Sequence, residues 1–315
     1  MNPILFSSPD IEFVLAHFHL EFQQKFHLGL SEMLRLRRNL TAAAHQVLGN
    51  RYSTRFQNLF DPPLSDDPVA LRRFQRPSPP FAILPEPTDI HDYDAGDRLD
   101  LKVSCWGRGG RLLDDFSLVL KELGRAGYHR GNGFFELVSI ETEDSSANRA
   151  HIWIKNDNFH FLSPSFNDVG WWLSRNSIAD SVRLEFLTPA RLISQGRPLF
   201  RVNFKRLFPF MLRRVSSMLY AHCGREVIDD PGHLLAAASK VREAENSLHW
   251  QDWRTLEGQG EVQDLGGIVG SVLLGGDALP EVLDILRLAT LMNVGKGAAF
   301  GAGRFRLCET SSERP

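Results

Sequence analysis

Residues 293–307 read NVGKGAAFGAGRFRL, four glycines around one lysine, closing in a run where arginine alternates with apolar residues. Glycine lacks Cβ, so such a loop lets main-chain N–H groups approach an anion closely. The order of the flanking elements decides what kind of loop it is. A dinucleotide-binding loop follows a strand and opens a helix. Here Leu279, Val282, Leu283, Leu286 and Ala289 recur at helical spacing before the loop, and RFRL alternates like a strand after it. The dinucleotide reading is therefore excluded. The P-loop reading fails too, because Lys296 is followed by Gly297 and not by Ser or Thr, and the helix stands on the wrong side.

Outward from the loop, SVRLEFL (181–187) alternates like a strand, and Phe204, Leu207, Phe208, Met211, Val215, Met218 and Leu219 recur at helical spacing, with Pro209 expected to kink that helix or mark its start. NSLHWQDWRTL (246–256) and LGGIVGSVLL (265–274) supply two more strands. The order β-α-β-β-α-β predicts an α+β, ferredoxin-like (RRM-like) fold, with the glycine-rich loop between the second helix and the last strand. The first half repeats the layout. IEFVLAHFHLEF (11–22), RLDLKVSCW (98–106), GFFELVSIE (133–141) and AHIWIKN (150–156) read as strands, and residues 29–48 and 111–123 as helices. A proline-rich stretch, residues 58–87, reads as a long surface insertion. GRAGYHRGNGFFEL (124–137) is a second glycine-rich helix-to-strand connection, so the halves look like a tandem duplication with domains at 1–178 and 179–315.

Composition narrows the class. A chain of 315 residues with 43% hydrophobic and 23% charged residues is that of an ordinary soluble protein. No apolar run approaches the ~20 residues of a membrane span, and MNPILFSSPD (1–10) lacks the features of a secretory signal, so a cytoplasmic location without membrane partners is expected. Cys105, Cys223 and Cys308 are too far apart and too few for a disulfide framework or a zinc knuckle. Net charge is −2, yet residues 183–214 carry eight Lys or Arg against the single acid Glu185, and Arg35–Arg55 carries five arginines and no acid. Local basic patches on a near-neutral chain suit a defined polyanion. Their other reading is the solvated face of ordinary helices.

Five blocks in order, VRLEFLTPARLISQGRPL (182–199), FMLRRVSSML (210–219), LHWQDWRT (248–255), DLGGIVGSVLL (264–274) and MNVGKGAAFGAGRFRL (292–307), resemble the C-terminal half of the CRISPR-associated repeat-RNA endoribonucleases of the RAMP superfamily. The resemblance implies cleavage of precursor CRISPR RNA within its repeat, without metal or other cofactor. A ribose 2′-OH attacks its own 3′ phosphate, leaving a 2′,3′-cyclic phosphate and a 5′-OH. The partners it implies are the repeat hairpin, the mature CRISPR RNA and other subunits of an effector complex. A non-cleaving RAMP subunit that caps guide RNA would share the fold.

In that family the general base is often a histidine near the end of the first helix, where this chain has His45. Arg35, Arg38 and His45 fall within ~80° of one another, opposite the apolar face of Met33, Leu36, Leu40 and Val47. Two guanidinium groups there would hold a phosphate beside an imidazole able to accept a proton. His27, just before the helix, is the second candidate. His17 and His19 share a face of the first strand, as metal ligands or as its polar side. The resemblance assigns RNA contacts to Gly295, Lys296, Gly297, Gly301, Gly303 and Arg304. Helical spacing adds Arg206, Arg213 and Arg214, and the GYHRGNG connection adds His129 and Arg130. Trp250 and Trp253 read as core residues or as stacking platforms.

Overall fold

The computed structural model describes residues 11–310 except 67, 69–75, 130, 156–160, 176–178, 227, 229 and 253–265. Two compact units divide the chain: Phe6–Ser174 with Ser216–Val227, and Arg175–Val215 with Ile228–Pro315.

The first unit is built on β1 (Glu12–Phe22). A short ribbon strand β2 (Phe26–His27) leads into α1 (Leu30–Leu48) and α2 (Thr54–Phe60). Next come β3 (Phe81–Ile83), β4 (Asp92–Tyr93), β5 (Arg98–Trp106), α3 (Leu113–Ala126), β6 (Phe135–Glu143), β7 (Arg149–Ile154), β8 (Asn167–Asp168) and α4 (Val169–Ser174). The antiparallel sheet runs β3-β5-β1-β6-β7, with β8 also on β1, and β2 pairs with β4. This is the ferredoxin-like order with one strand added. Met33, Leu36, Leu40, Ala43, Ala44 and Leu48 bury one stripe of α1, at the i, i+3, i+4 spacing that places them on one face. Phe116, Val119, Leu120 and Leu123 do the same for α3, where Gly124 admits close approach, since a Cβ there would lie 2.2 Å from Phe135 O. The proline-rich stretch differs from expectation at its end: Phe81, Ala82 and Ile83 are wholly buried and form the edge strand that completes the fold. Three residues carry too little alternation to be read as a strand.

On the face of this sheet that bears His17 and His19, the side chains pair with acids from neighbouring strands. His17 is 1% exposed, with Nδ1 3.0 Å from Asp100 Oδ1 and Nε2 2.9 Å from Glu143 Oε2. Ionised carboxylates only accept, so both ring nitrogens carry protons and the ring is an imidazolium. Lys102 and Arg149 contact the same carboxylates at 3.3 and 2.9 Å, and His19 and His151 reach Glu141 at 3.1 and 3.2 Å. Burial works against the charge on His17, but the hydrogen bonds to Asp100 and Glu143 hold its pKa above the ordinary histidine value. The hydrogen bond from His17 brings Glu143 down to about 2.

The second unit follows the same plan: β9 (Ser181–Ala190), the ribbon β10 (Ile193–Ser194) and β11 (Arg197–Pro198), α5 (Phe204–Met218), α6 (Pro231–Lys240), β12 (Arg242–Asn246), β13 (His249–Gln251), β14 (Gly267–Gly275), α7 (Leu279–Thr290) and β15 (Phe305–Thr310). The last turn of α5 and the following Leu219–Cys223 belong to the first unit. The sheet order is β12-β14-β9-β15, with β13 on β14. α5 continues through Pro209, and α6 and β12 are elements beyond those the sequence pattern predicts. The glycine loop is closed by main-chain bonds: Val294 N to Gly303 O (3.1 Å), Gly303 N to Pro189 O (2.9 Å) and Lys296 N to Arg191 O (2.9 Å). Gly303 has φ +65°, and a Cβ there would lie 1.8 Å from Val294 O.

Two outcomes are expected. Gly303→Ala destabilises the protein by about 2 kcal/mol or more in urea unfolding, because main chain must move aside, whereas Gly297→Ala costs about 1 kcal/mol for its left-handed φ alone; equal, small effects would show that loop closure does not pin β15. His17→Gln costs about 3 kcal/mol, since two carboxylates lose their buried partner. A raised histidine pKa stabilises fully below the unfolded value and is lost as pH rises through the folded one, while the depressed carboxylates are lost only as pH falls below their unfolded value. Melting temperature therefore falls from pH 6.5 upward in the native chain, with a flatter slope in His17→Gln.

Candidate active site and nucleic-acid interface

In the first unit, β1 turns at Phe22 into the β2–β4 ribbon, where Phe26 pairs with Tyr93 and His27 with Asp92. His27 Nδ1 lies 2.7 Å from Asp92 Oδ1, and the imidazole is 68% exposed. A carboxylate accepts, so Nδ1 donates and Nε2 is left as the acceptor. A Cβ built on Gly29, the cap of α1, would lie 3.1 Å from His27 Nε2, which places the ring over the first turn of α1.

The glycine-rich connection after α3 closes on the same place. Tyr128 packs on Phe26 with ring centroids 5.6 Å apart, and Gly133, at φ +70°, leaves space that a Cβ would take from the Phe26 ring. Asn39 on α1 donates to Tyr128 O at 2.7 Å and lies 3.5 Å from His129 Nδ1. Arg35 stands one turn before Asn39 on the same flank, and Arg38 beside it is exposed. His27 thus lies at the first turn of α1, and Arg35, Arg38 and Asn39, the last beside His129, follow along its first half. Arg130 lies outside the described residues. Asp89, in the turn before β4, is a further titratable group of this region, and burial pushes its carboxyl up to about 6.

His45 stands apart. It is exposed in the last turn of α1, with Nδ1 3.3 Å from Gly49 O and its ring stacked on Phe56 at 4.1 Å between centroids. At 1.5 Å per residue it lies roughly 22 Å along the helix from Leu30. His27 and His45 therefore do not share one site. Sequence reasoning missed Asp92 and Asn39: neither has a local signal, because each meets its partner through pairing across 65 and 89–90 positions of chain.

In the second unit the basic candidates divide. Lys296, Arg206 and Arg213 are exposed, as are Arg197, Arg201 and Lys205. Arg206 donates to Arg201 O at 3.0 Å, and the Arg213 guanidinium lies 5.9 Å from the Phe210 ring centroid. Arg214 donates through Nε and Nη2 to Met292 O at 3.2 and 3.1 Å, and Arg304 through Nη1 to Thr290 O and Phe305 O. These two brace the backbone leading into and out of the glycine loop. Arg183 and Arg306 are paired with Glu245 and Glu185, each at 2.8 Å. Trp250 is half-buried, edge-on to Phe200 at 4.9 Å, and Trp253 lies outside the described residues.

Residues 184–305 match the model of the CRISPR-associated endoribonuclease Cas6, and residues 36–164 match a model described as an N-terminal domain. No sequence among curated proteins matches the chain. In structure it is similar to a chain of a partial Cas6-RT-Cas1–Cas2 complex, with 13% identity, a TM-score of 0.58, and coverage of 98% of this chain and 48% of that one. It therefore spans about half the length of that protein. It is also similar to Thermus thermophilus Cas6, with 16% identity, a TM-score of 0.52, and coverage of 95% and 99%, and to a Cas6 product complex, with 16%, 0.52, 94% and 100%. Residues 184–305, β9 to β15, thus match the Cas6 model, and the likeness to solved structures shows that the two units share the fold of Cas6 chains.

Proposed function

We propose that this chain cuts precursor CRISPR RNA within the repeat, by attack of a ribose 2′-OH on the adjacent 3′ phosphate, without a metal ion. The family match at residues 184–305 carries the assignment to CRISPR RNA. The His27–Asp92 pair supports the assignment of the base. Asp92 holds Nδ1–H, so Nε2 takes the proton from the 2′-OH as the oxygen bonds to phosphorus. The bond to the 5′ oxygen breaks, that oxygen takes up a proton, and the products are a 2′,3′-cyclic phosphate and a 5′-OH. Arg35 and Arg38 meet the charge that builds on the non-bridging oxygens, and His129, beside Asn39, is the group able to return a proton.

Residues 1–178 serve as the cutting half and 179–315 as the gripping half. Exposed Lys296, Arg206 and Arg213 contact the sugar-phosphate backbone of the repeat hairpin, and the protein stays on that hairpin in the mature CRISPR RNA. His45, stacked on Phe56 and bonded toward Gly49 O, acts as a helix cap.

The test is a gel assay of end-labelled repeat RNA with purified protein in excess EDTA. A single cut with a 5′-OH product is expected, slowed about 10²–10⁴-fold in His27→Ala. Asp92→Asn is expected to slow it less and His45→Ala hardly at all, all three with unchanged RNA affinity. Tight binding with no cut would instead make the chain an RNA-capping subunit, and loss of cutting in His45→Ala alone would move the base to the other end of α1. Lys296→Ala combined with Arg206→Ala is expected to weaken binding and to make the salt dependence shallower, by roughly one in slope for each phosphate no longer held.

A further inference from the structure

The segment Gly107–Leu112, GRGGRL, follows β5 as a short 3₁₀ helix of the first unit, and nothing in the site above uses it. Its glycines face inward. A Cβ on Gly107 would lie 2.1 Å from His222 O, on Gly109 2.7 Å from Pro80 O, and on Gly110 2.8 Å from Val14 Cγ2. The backbone is thereby pressed against three neighbouring segments, and the arginines between the glycines are left outside. Arg108 and Arg111 are exposed, and neither has a hydrogen-bond or ion-pair partner among the described residues. Three residues apart in a 3₁₀ helix, they stand one above the other, about 6 Å along the axis.

Both arginines line a cavity of about 820 Å³ whose lining residues all belong to the first unit. The lining also includes Asn58, Pro62, Tyr220 and Ser217. The Ser217 hydroxyl is buried and has no hydrogen-bond partner among the described residues. A buried hydroxyl without a partner is uncommon and asks for one. Arg76 also lines the cavity and is held by Asp61 at 2.6 Å, which leaves Asp66 as the one acid among the described lining residues against three arginines. Unpaired guanidinium groups fit phosphate oxygens, prolines and a tyrosine offer flat surface to a base, and the volume is that of a site for a molecule of nucleotide size or somewhat larger.

We infer that this cavity is a second, non-catalytic site that binds a phosphate-bearing nucleotide, with the phosphate on Arg108 and Arg111 and the base against Tyr220 and the proline wall. The nucleotide comes either from a single-stranded part of the RNA, in which case the inference rests on the RNA-handling function proposed above, or from free nucleoside phosphate, in which case it does not. The test uses the full chain, a fluorescent RNA hexamer and 5′-AMP, each titrated against the native protein, Arg108→Ala/Arg111→Ala and His27→Ala. A hexamer carrying one photoreactive uridine is crosslinked in parallel. At least tenfold weaker hexamer binding in the double arginine variant, unchanged in His27→Ala, with crosslinks on the peptide holding Ser217 and Tyr220, supports the site with RNA as its source. AMP binding of similar strength that is lost in the same variant supports free nucleotide. Unchanged affinity for both ligands in a double variant of native melting temperature overturns the inference. Absence of repeat cutting by the native protein, with hexamer binding at this site intact, would sink the cleavage reading and leave this one standing.

Discussion

The His17 imidazolium sits in the middle of β1 with a carboxylate on each ring nitrogen, 1% exposed. Bringing one positive and two negative groups out of water is costly unless every lone pair and proton is matched. Here Asp100 arrives from β5 and Glu143 from β6, with Lys102 and Arg149 completing the charge balance. The match exists only in one register, since a slip of one residue turns every side chain to the other face. β1 is the strand through which β5 and β6 are joined, so this cluster fixes the alignment of the sheet from its polar side while Phe18, Leu20 and Phe22 fix it from the core.

Alignment of β1 sets the candidate site. The strand ends at Phe22, whose main chain is bonded to Asp97 O and Gly96 N, and four residues later Phe26 is already packed between Phe22 and Tyr128. His27 follows directly, opposite Asp92. The imidazole is therefore positioned by a short ribbon tied to the central strand and by the first turn of a 19-residue helix, while Asn39 ties the same helix to the loop that presents His129. Main-chain and side-chain bonds thus fix where these groups stand, which is what positioned acid–base groups require of their surroundings.

The second unit was largely legible in the sequence because its signals are local. Seven apolar positions at helical spacing define α5, an alternating run defines β9, and the glycines of 295–303 sit where φ is positive or where Arg191 O and Val294 O leave no space for a Cβ. What remained hidden there was α6 and β12, the latter carrying the sequence REAEN with no buried alternation. In the first unit the hidden parts are those made by distant pairing. β3 is three residues inside a proline-rich stretch, and Asp92 meets His27 across 65 positions. Helical periodicity grouped Arg35, Arg38 and His45 by angle, and angle alone says nothing of the distance along the axis that separates His45 from the rest.

That contrast explains why glycine has two separate meanings in this chain. In the loop before β15, glycine permits main chain to lie against main chain, and the result is a braced turn in which Arg214 and Arg304 satisfy carbonyls and only Lys296 among its charged residues is exposed. In GRGGRL the same property presses a helix of six residues into the unit and leaves its two arginines outside, with no partner among the described residues. A glycine-rich run with cations is thus not by itself an anion cradle. What distinguishes the two is where the cations finish: on carbonyls, where they hold the fold, or exposed in the lining of a cavity, free to meet an anion.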